Sequence, residues 1–102
     1  MTAVARKAIP AMSNEEIIER FRLWRLQWNP TDRQAQEEIA VISKLAEFIA
    51  PLPLSKTTKA VRQDFYLEEL MRPQHLRVAS AALMDALINF DAFLKDLRAG
   101  RW

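Results

Sequence analysis

The chain has no cysteine, one glycine and one histidine among its 102 residues. Without cysteine there are no disulfides, no thiolate metal ligands and no thiol nucleophile, a composition in keeping with a reducing cytoplasm. Gly100 alone cannot build a glycine-rich phosphate loop. His75 alone supplies neither a multi-histidine zinc site nor a two-histidine acid–base mechanism. An excess of one charge is also lacking. Fifteen Lys and Arg face thirteen Asp and Glu, a formal +2, too balanced to mark a nucleic-acid binder by bulk charge. No run approaches the ~18 uninterrupted apolar residues of a membrane-spanning helix. Residues 1–12 are broken by Arg6, Lys7 and Pro10 and lack the apolar stretch of a secretory signal. They are expected to be a flexible tail ahead of one domain over 13–102. These absences exclude most small enzymes, and the expectation is a cytoplasmic non-enzyme with no cofactor and no metal.

What is present is apolar residues at helical spacing. Ser13-Asn14-Glu15-Glu16 is a capping box, and Ile17, Phe21, Trp24 and Trp28 then recur on one helix face. Pro30 stops that helix and pushes Asn29 out of helical geometry. Thr31-Asp32-Arg33-Gln34 is a second box, opening a helix to about Ala50 with Ala35, Ile39, Ile42, Ala46 and Ile49 on one stripe. Pro51-Leu52-Pro53-Leu54 breaks it. Between Ser55 and Met71, Ala60, Leu67 and Met71 share one side and Val61 and Phe65 another, which fits a short helix or a looser connection. Pro73 suits the first position of a last helix carrying Leu76, Leu83, Leu87, Phe90 and Leu94, flanked by Ala79, Ala86, Phe93 and Leu97. Gly100, just past Arg98, is its natural stop. No strand alternation occurs anywhere. The fold class is all-α, a small antiparallel bundle of three to four helices.

The helices carry more than one apolar row. Leu23 and Leu26 lie far round from the Trp24 row, Val41 and Phe48 oppose the Ile42 stripe, and Met84 and Ile88 stand off the Leu87 line. Covering such side chains is worth about 1.5–3 kcal/mol each. Homodimerisation is the simplest cover, the alternative being a compact four-helix monomer that wraps a helix on both sides, and the seam is expected where Leu83, Leu87, Phe90 and Leu94 meet Ile39, Ile42 and Ile49.

Chemical motifs are few. The pairs Glu15/Glu16, Glu37/Glu38 and Glu68/Glu69 diverge by about 100° on a helix and read as solvated faces, not converging acid–base pairs. His75, with Arg77 nearby, has no Ser, Asp or second His at a spacing that gives it catalytic work, so a packing or interface role is expected. Arg20, Arg22 and Arg25 with Trp24 and Trp28 have the composition of a nucleic-acid surface, but the arginines spread around the helix. Residues 39–72 can be drawn as a helix-turn-helix, although the turn is Pro-rich and the second segment carries Asp64, Glu68 and Glu69. A small DNA-binding regulator is therefore the alternative reading. Trp and Arg together dominate protein–protein hot spots, so Trp24, Arg25, Trp28, His75 and Arg77 are the expected partner-binding residues.

Three strings occur in an order that resembles the TraM family, small bacterial antiactivators of LuxR-type quorum-sensing regulators. They are Pro30-Thr31-Asp32 opening a long helix, Leu52-Pro53 closing it, and Pro73-Gln74-His75-Leu76-Arg77 opening the last one. A second antiactivator, QslA, has the same kind of role. The likeness spans residues 30 to 97; residues 1–29 have no counterpart, and residues 55–72 are longer and more helical than the family pattern. The resemblance implies an all-helical homodimer without cofactor or catalysis that binds a LuxR-type transcription factor and keeps it from its DNA, itself touching neither nucleic acid nor membrane.

Overall fold

The computed structural model describes residues 12–73 and 80–102, with the side chains of residues 80 and 81 excepted. Among the described residues four α-helices follow in order: α1 Asn14–Arg25, α2 Asp32–Ile49, α3 Lys59–Leu70 and α4 Ser80–Arg98. Short 3-10 turns over Leu26–Trp28 and Leu54–Lys56 join them, and no strand occurs among the described residues. The all-α class and the bundle are as the periodicity requires. The proposed tail at 1–11 and the Pro73 helix opening through residues 74–79 lie outside the described residues. Met12 is a correction to the tail boundary, since it is buried in the core.

Both capping boxes form. The Ser13 hydroxyl accepts from the Glu16 amide and the Glu16 carboxylate accepts from the Ser13 amide, each at 3.2 Å. Thr31 and Gln34 repeat the exchange at 3.1 and 2.8 Å. The Trp24–Trp28 helix does not run on unbroken to Pro30. It tightens into the 3-10 turn after Arg25 and ends on Asn29 in the left-handed region, at φ 49°, a conformation that asparagine tolerates. The segment after Pro53 forms the second 3-10 turn and then α3, whose first-turn amide at Val61 is capped by Thr58. Gly100, at φ 77°, closes α4: its amide donates to the Leu97 carbonyl and the Arg101 amide to that of Asp96. That pair of bonds is a Schellman stop, whose left-handed residue is most easily a glycine because it has no Cβ to clash.

α2 and α4 form the central pair, and α1 and α3 each touch both of them. This placement explains why α2 is apolar on more than one side. Val41, expected to be surplus, is fully buried beside Ile42 and Leu45. Between α1 and α4 an aromatic cluster fills the core, with Phe21 edge-on to Phe90 at 5.3 Å and to Phe93 at 5.6 Å between ring centroids.

The expected dimer seam is largely this intrachain core. Ile42, Ile49, Leu83, Phe90 and Leu94 are buried within one chain, and Ile39 and Leu87 pack partly buried against them. The α2–α4 contact expected between two copies is made inside one, because the other two helices bring the central pair together and cover it. A second copy would have to use other residues.

Candidate interaction surface

Three buried or half-buried polar clasps fix the helices before any surface is considered. Glu38 on α2 accepts from Arg25 Nε of α1 at 2.9 Å and from Asn89 Nδ2 of α4 at 3.0 Å. Glu69 on α3, also buried, is held by Lys44 of α2 at 3.2 Å and by Arg72 at 2.9 Å. Arg62 on α3 donates to Asp91 of α4 at 2.6 Å and to the Thr57 hydroxyl and carbonyl, while Arg98 donates to the Ser55 and Thr57 carbonyls. These bonds satisfy the carbonyls of the loop before α3, which would otherwise be stranded against the core. Burial depresses the tendency of Arg62 to stay charged, and the Asp91 carboxylate opposes that effect.

The expected partner-binding residues are divided by this framework. Trp24 is a correction: it is buried, and its indole Nε1 donates to Asp96 Oδ2 of α4 at 2.9 Å. Arg25 is a correction too, because its guanidinium is spent on Glu38 inside the bundle. Trp28 alone of the described members faces solvent, at 55% exposure, with its ring 4.5 Å from that of Trp24. His75 and Arg77 lie outside the described residues. The reason for the division is geometric. Trp24 belongs to the helix proper and follows Ile17 and Phe21 inward, whereas Trp28 sits in the tightened turn where the row leaves the bundle.

The apolar rows expected to be surplus are otherwise exposed. Leu23, Leu26, Phe48, Met84 and Ile88 all reach solvent. Leu67 on α3 and Met71 just past its end join them, Met71 at 85% exposure. Their shared side was legible in the sequence, but nothing there distinguished it from the buried Phe65 side. Among the described residues no group of three or more His, Cys, Asp or Glu side chains converges, and no helix is long and apolar enough to cross a membrane.

Asp96 shows how the surface and the core are coupled. The Trp24 indole and the Arg101 guanidinium, the latter through two bonds to Oδ1 at 3.0 and 2.9 Å, hold its carboxyl below the usual carboxylate range. A folded-state value below the unfolded one gives stability that is present above the unfolded value, about 3.9, and lost as pH falls through the folded one. Asp96→Asn should therefore give a melting temperature less dependent on pH below about pH 4 than that of the wild type. Parallel curves for the two proteins, followed by circular dichroism, would show that solvent already screens the charge.

Comparison with known proteins returned no match among protein-family models, curated proteins or solved structures.

Proposed function

We propose that this chain is a helical interaction protein that sequesters a LuxR-type transcriptional activator as a quorum-sensing antiactivator, working as a cytoplasmic homodimer. The observation that carries the interaction reading is the ring of Trp28, half exposed on a rigid base formed by buried Trp24. A large aromatic held in place loses little freedom when a partner covers it, which is what makes tryptophan a frequent anchor of interfaces. The identity of the partner rests on the sequence resemblance, carried by Pro30-Thr31-Asp32, Leu52-Pro53 and the Pro73–Arg77 string.

The DNA-binding alternative through residues 39–72 is less favoured by the arrangement of α3. Arg62 is turned inward to Asp91, while Asp64 and Glu68 are exposed on the same helix and would face phosphates.

Capture from a lysate of the source cells, treated with nuclease and washed in high salt, tests the reading. Recovery of a LuxR-type regulator identified by mass spectrometry supports it, because apolar contacts survive salt that disperses phosphate contacts. Retention of nucleic acid alone by an untreated control supports the alternative. Trp28→Ala should keep the helical circular dichroism of the wild type and lose the regulator. Unchanged affinity in that variant would remove Trp28 from the interface.

A further inference from the structure

A second surface lies on the other side of the central pair. α3 and α4 are held together by the Arg62–Asp91 bond but are in much less extensive contact than α2 and α4, and between them runs an open groove of about 570 Å3. Its floor is Leu87, partly buried, with Met84 at 47% and Ile88 at 59% exposure on the same stripe of α4. Its other wall is Tyr66, Gln63 and Lys59, which stand three and four residues apart on one side of α3. Both walls therefore extend along two helical turns, about 10 Å.

One end of the groove is apolar and the other is cationic. At the cationic end Asp91 already accepts from Arg62 at 2.6 Å and from Lys95 at 3.2 Å. Burial pushes its carboxyl up, and Lys95 and Arg62 together outweigh that effect and hold it below the usual range. The single carboxylate is thus shared, and Lys59, exposed on the facing wall, has no acidic partner among the described residues. The groove is unbalanced toward positive charge at that end.

We propose that this groove is the docking site for an amphipathic helix of a partner protein, apolar along one face and acidic at the end that lies over Lys59. An open trough lined by methionine and aliphatic side chains adapts to a helix face with anchors at i, i+4 and i+7. It is too shallow to enclose a small molecule, and its apolar floor offers nothing to a phosphate backbone. A second copy docking through its own α4 stripe fits the charge less well. On its own α4 stripe the acidic residue is Asp91, already held by Arg62 and Lys95, and Asp85 stands about 100° round the helix from Met84. The site goes beyond the sequestration reading and does not depend on it.

The test uses the full-length chain as bait for a phage-displayed library of helix-stabilised peptides. Apolar residues are fixed at i, i+4 and i+7, and the flanking positions are randomised. Enriched peptides are expected to carry Asp or Glu at one end, and to bind Ile88→Glu and Lys59→Glu about tenfold or more weakly than the wild type. Leu23→Glu, on the far helix α1, should bind them as the wild type does. Exchanging the acids of a selected peptide for lysines should restore its binding to Lys59→Glu. Peptides with no preference for acidic ends, or with equal affinity for Ile88→Glu, overturn the proposal. So does sedimentation showing a wild-type dimer that Ile88→Glu converts to monomer, since the groove is then occupied by a second copy. Ile88 and Lys59 are both exposed, so each variant should retain wild-type helicity. Failure to capture a LuxR-type regulator from lysate would leave a positive peptide result standing, and a negative peptide result would leave the capture standing.

Discussion

Phe21→Ala is expected to destabilise the fold by about 3–5 kcal/mol, the range for deleting a fully buried phenylalanine. A domain of this length has a total stability of about 5–15 kcal/mol, so the loss is a large share of it. The reason for a value near the upper limit is the position of the ring. Phe21 is wholly buried and contacts Trp24, Phe90 and Phe93, so its removal opens a cavity where α1 meets the central pair. Neighbouring aromatic rings are rigid and close such a cavity poorly. Phe48→Ala is the matched control, because Phe48 is 39% exposed and touches Phe65 from the surface of α2. Its loss should be well under half as large. Urea midpoints at equal slope measure both, and comparable losses would show that α1 is not an integral part of the core.

The second large effect concerns a polar residue. Arg25→Ala should destabilise by about 3–5 kcal/mol, because it leaves the Glu38 carboxylate buried with only Asn89 to serve it. Glu38→Gln, which removes the charge and keeps an acceptor at the same place, should cost less. The order matters more than the size: truncating the cation strands a carboxylate at 4% exposure, whereas neutralising the anion leaves the better-exposed Arg25 guanidinium, at 16%, with an amide oxygen still to donate to. Arg22→Ala is the control on the same helix, since Arg22 pairs with Glu19 in full view of solvent. Chemical denaturation of the three variants decides the matter, and equal losses for Arg25→Ala and Arg22→Ala would mean that Glu38 is hydrated. The result also bears on function. A loss of target binding on truncating Arg25 must be set against the loss of the fold before the residue is counted as part of an interface.

These two predictions could not have been drawn from the spacing of residues. Phe21 was legible as a core residue, since Ile17, Phe21 and Trp24 fall on one face behind a complete capping box. The identity of its neighbours on α4, across nearly seventy positions of chain, was not. Arg25 looked like a surface cation beside two tryptophans because nothing local reveals that Glu38 lies behind it. The same gap explains the misplaced seam. Leu83, Phe90 and Leu94 were recognised as one apolar stripe, and their partners Ile42 and Ile49 as another, but a stripe does not tell whether its complement lies in the same chain or in a second one.

By itself the sequence determined what depends on near neighbours. Helix starts at Ser13 and Thr31, the break at Pro51–Pro53, the glycine stop at Gly100 and the all-α class follow from hydrogen bonds made within a few residues, and those bonds form as the local pattern requires. Tertiary structure alone decided which apolar rows are spent inside. It placed α2 and α4 at the centre, buried Val41, turned Trp24 onto Asp96 and Arg25 onto Glu38, and left Trp28, Met71, Met84 and Ile88 facing solvent. The physical reason is that burial is a property of pairs of surfaces. A side chain's periodicity states that it has a face to hide, and only the packing of the other helices states whether that face is already covered.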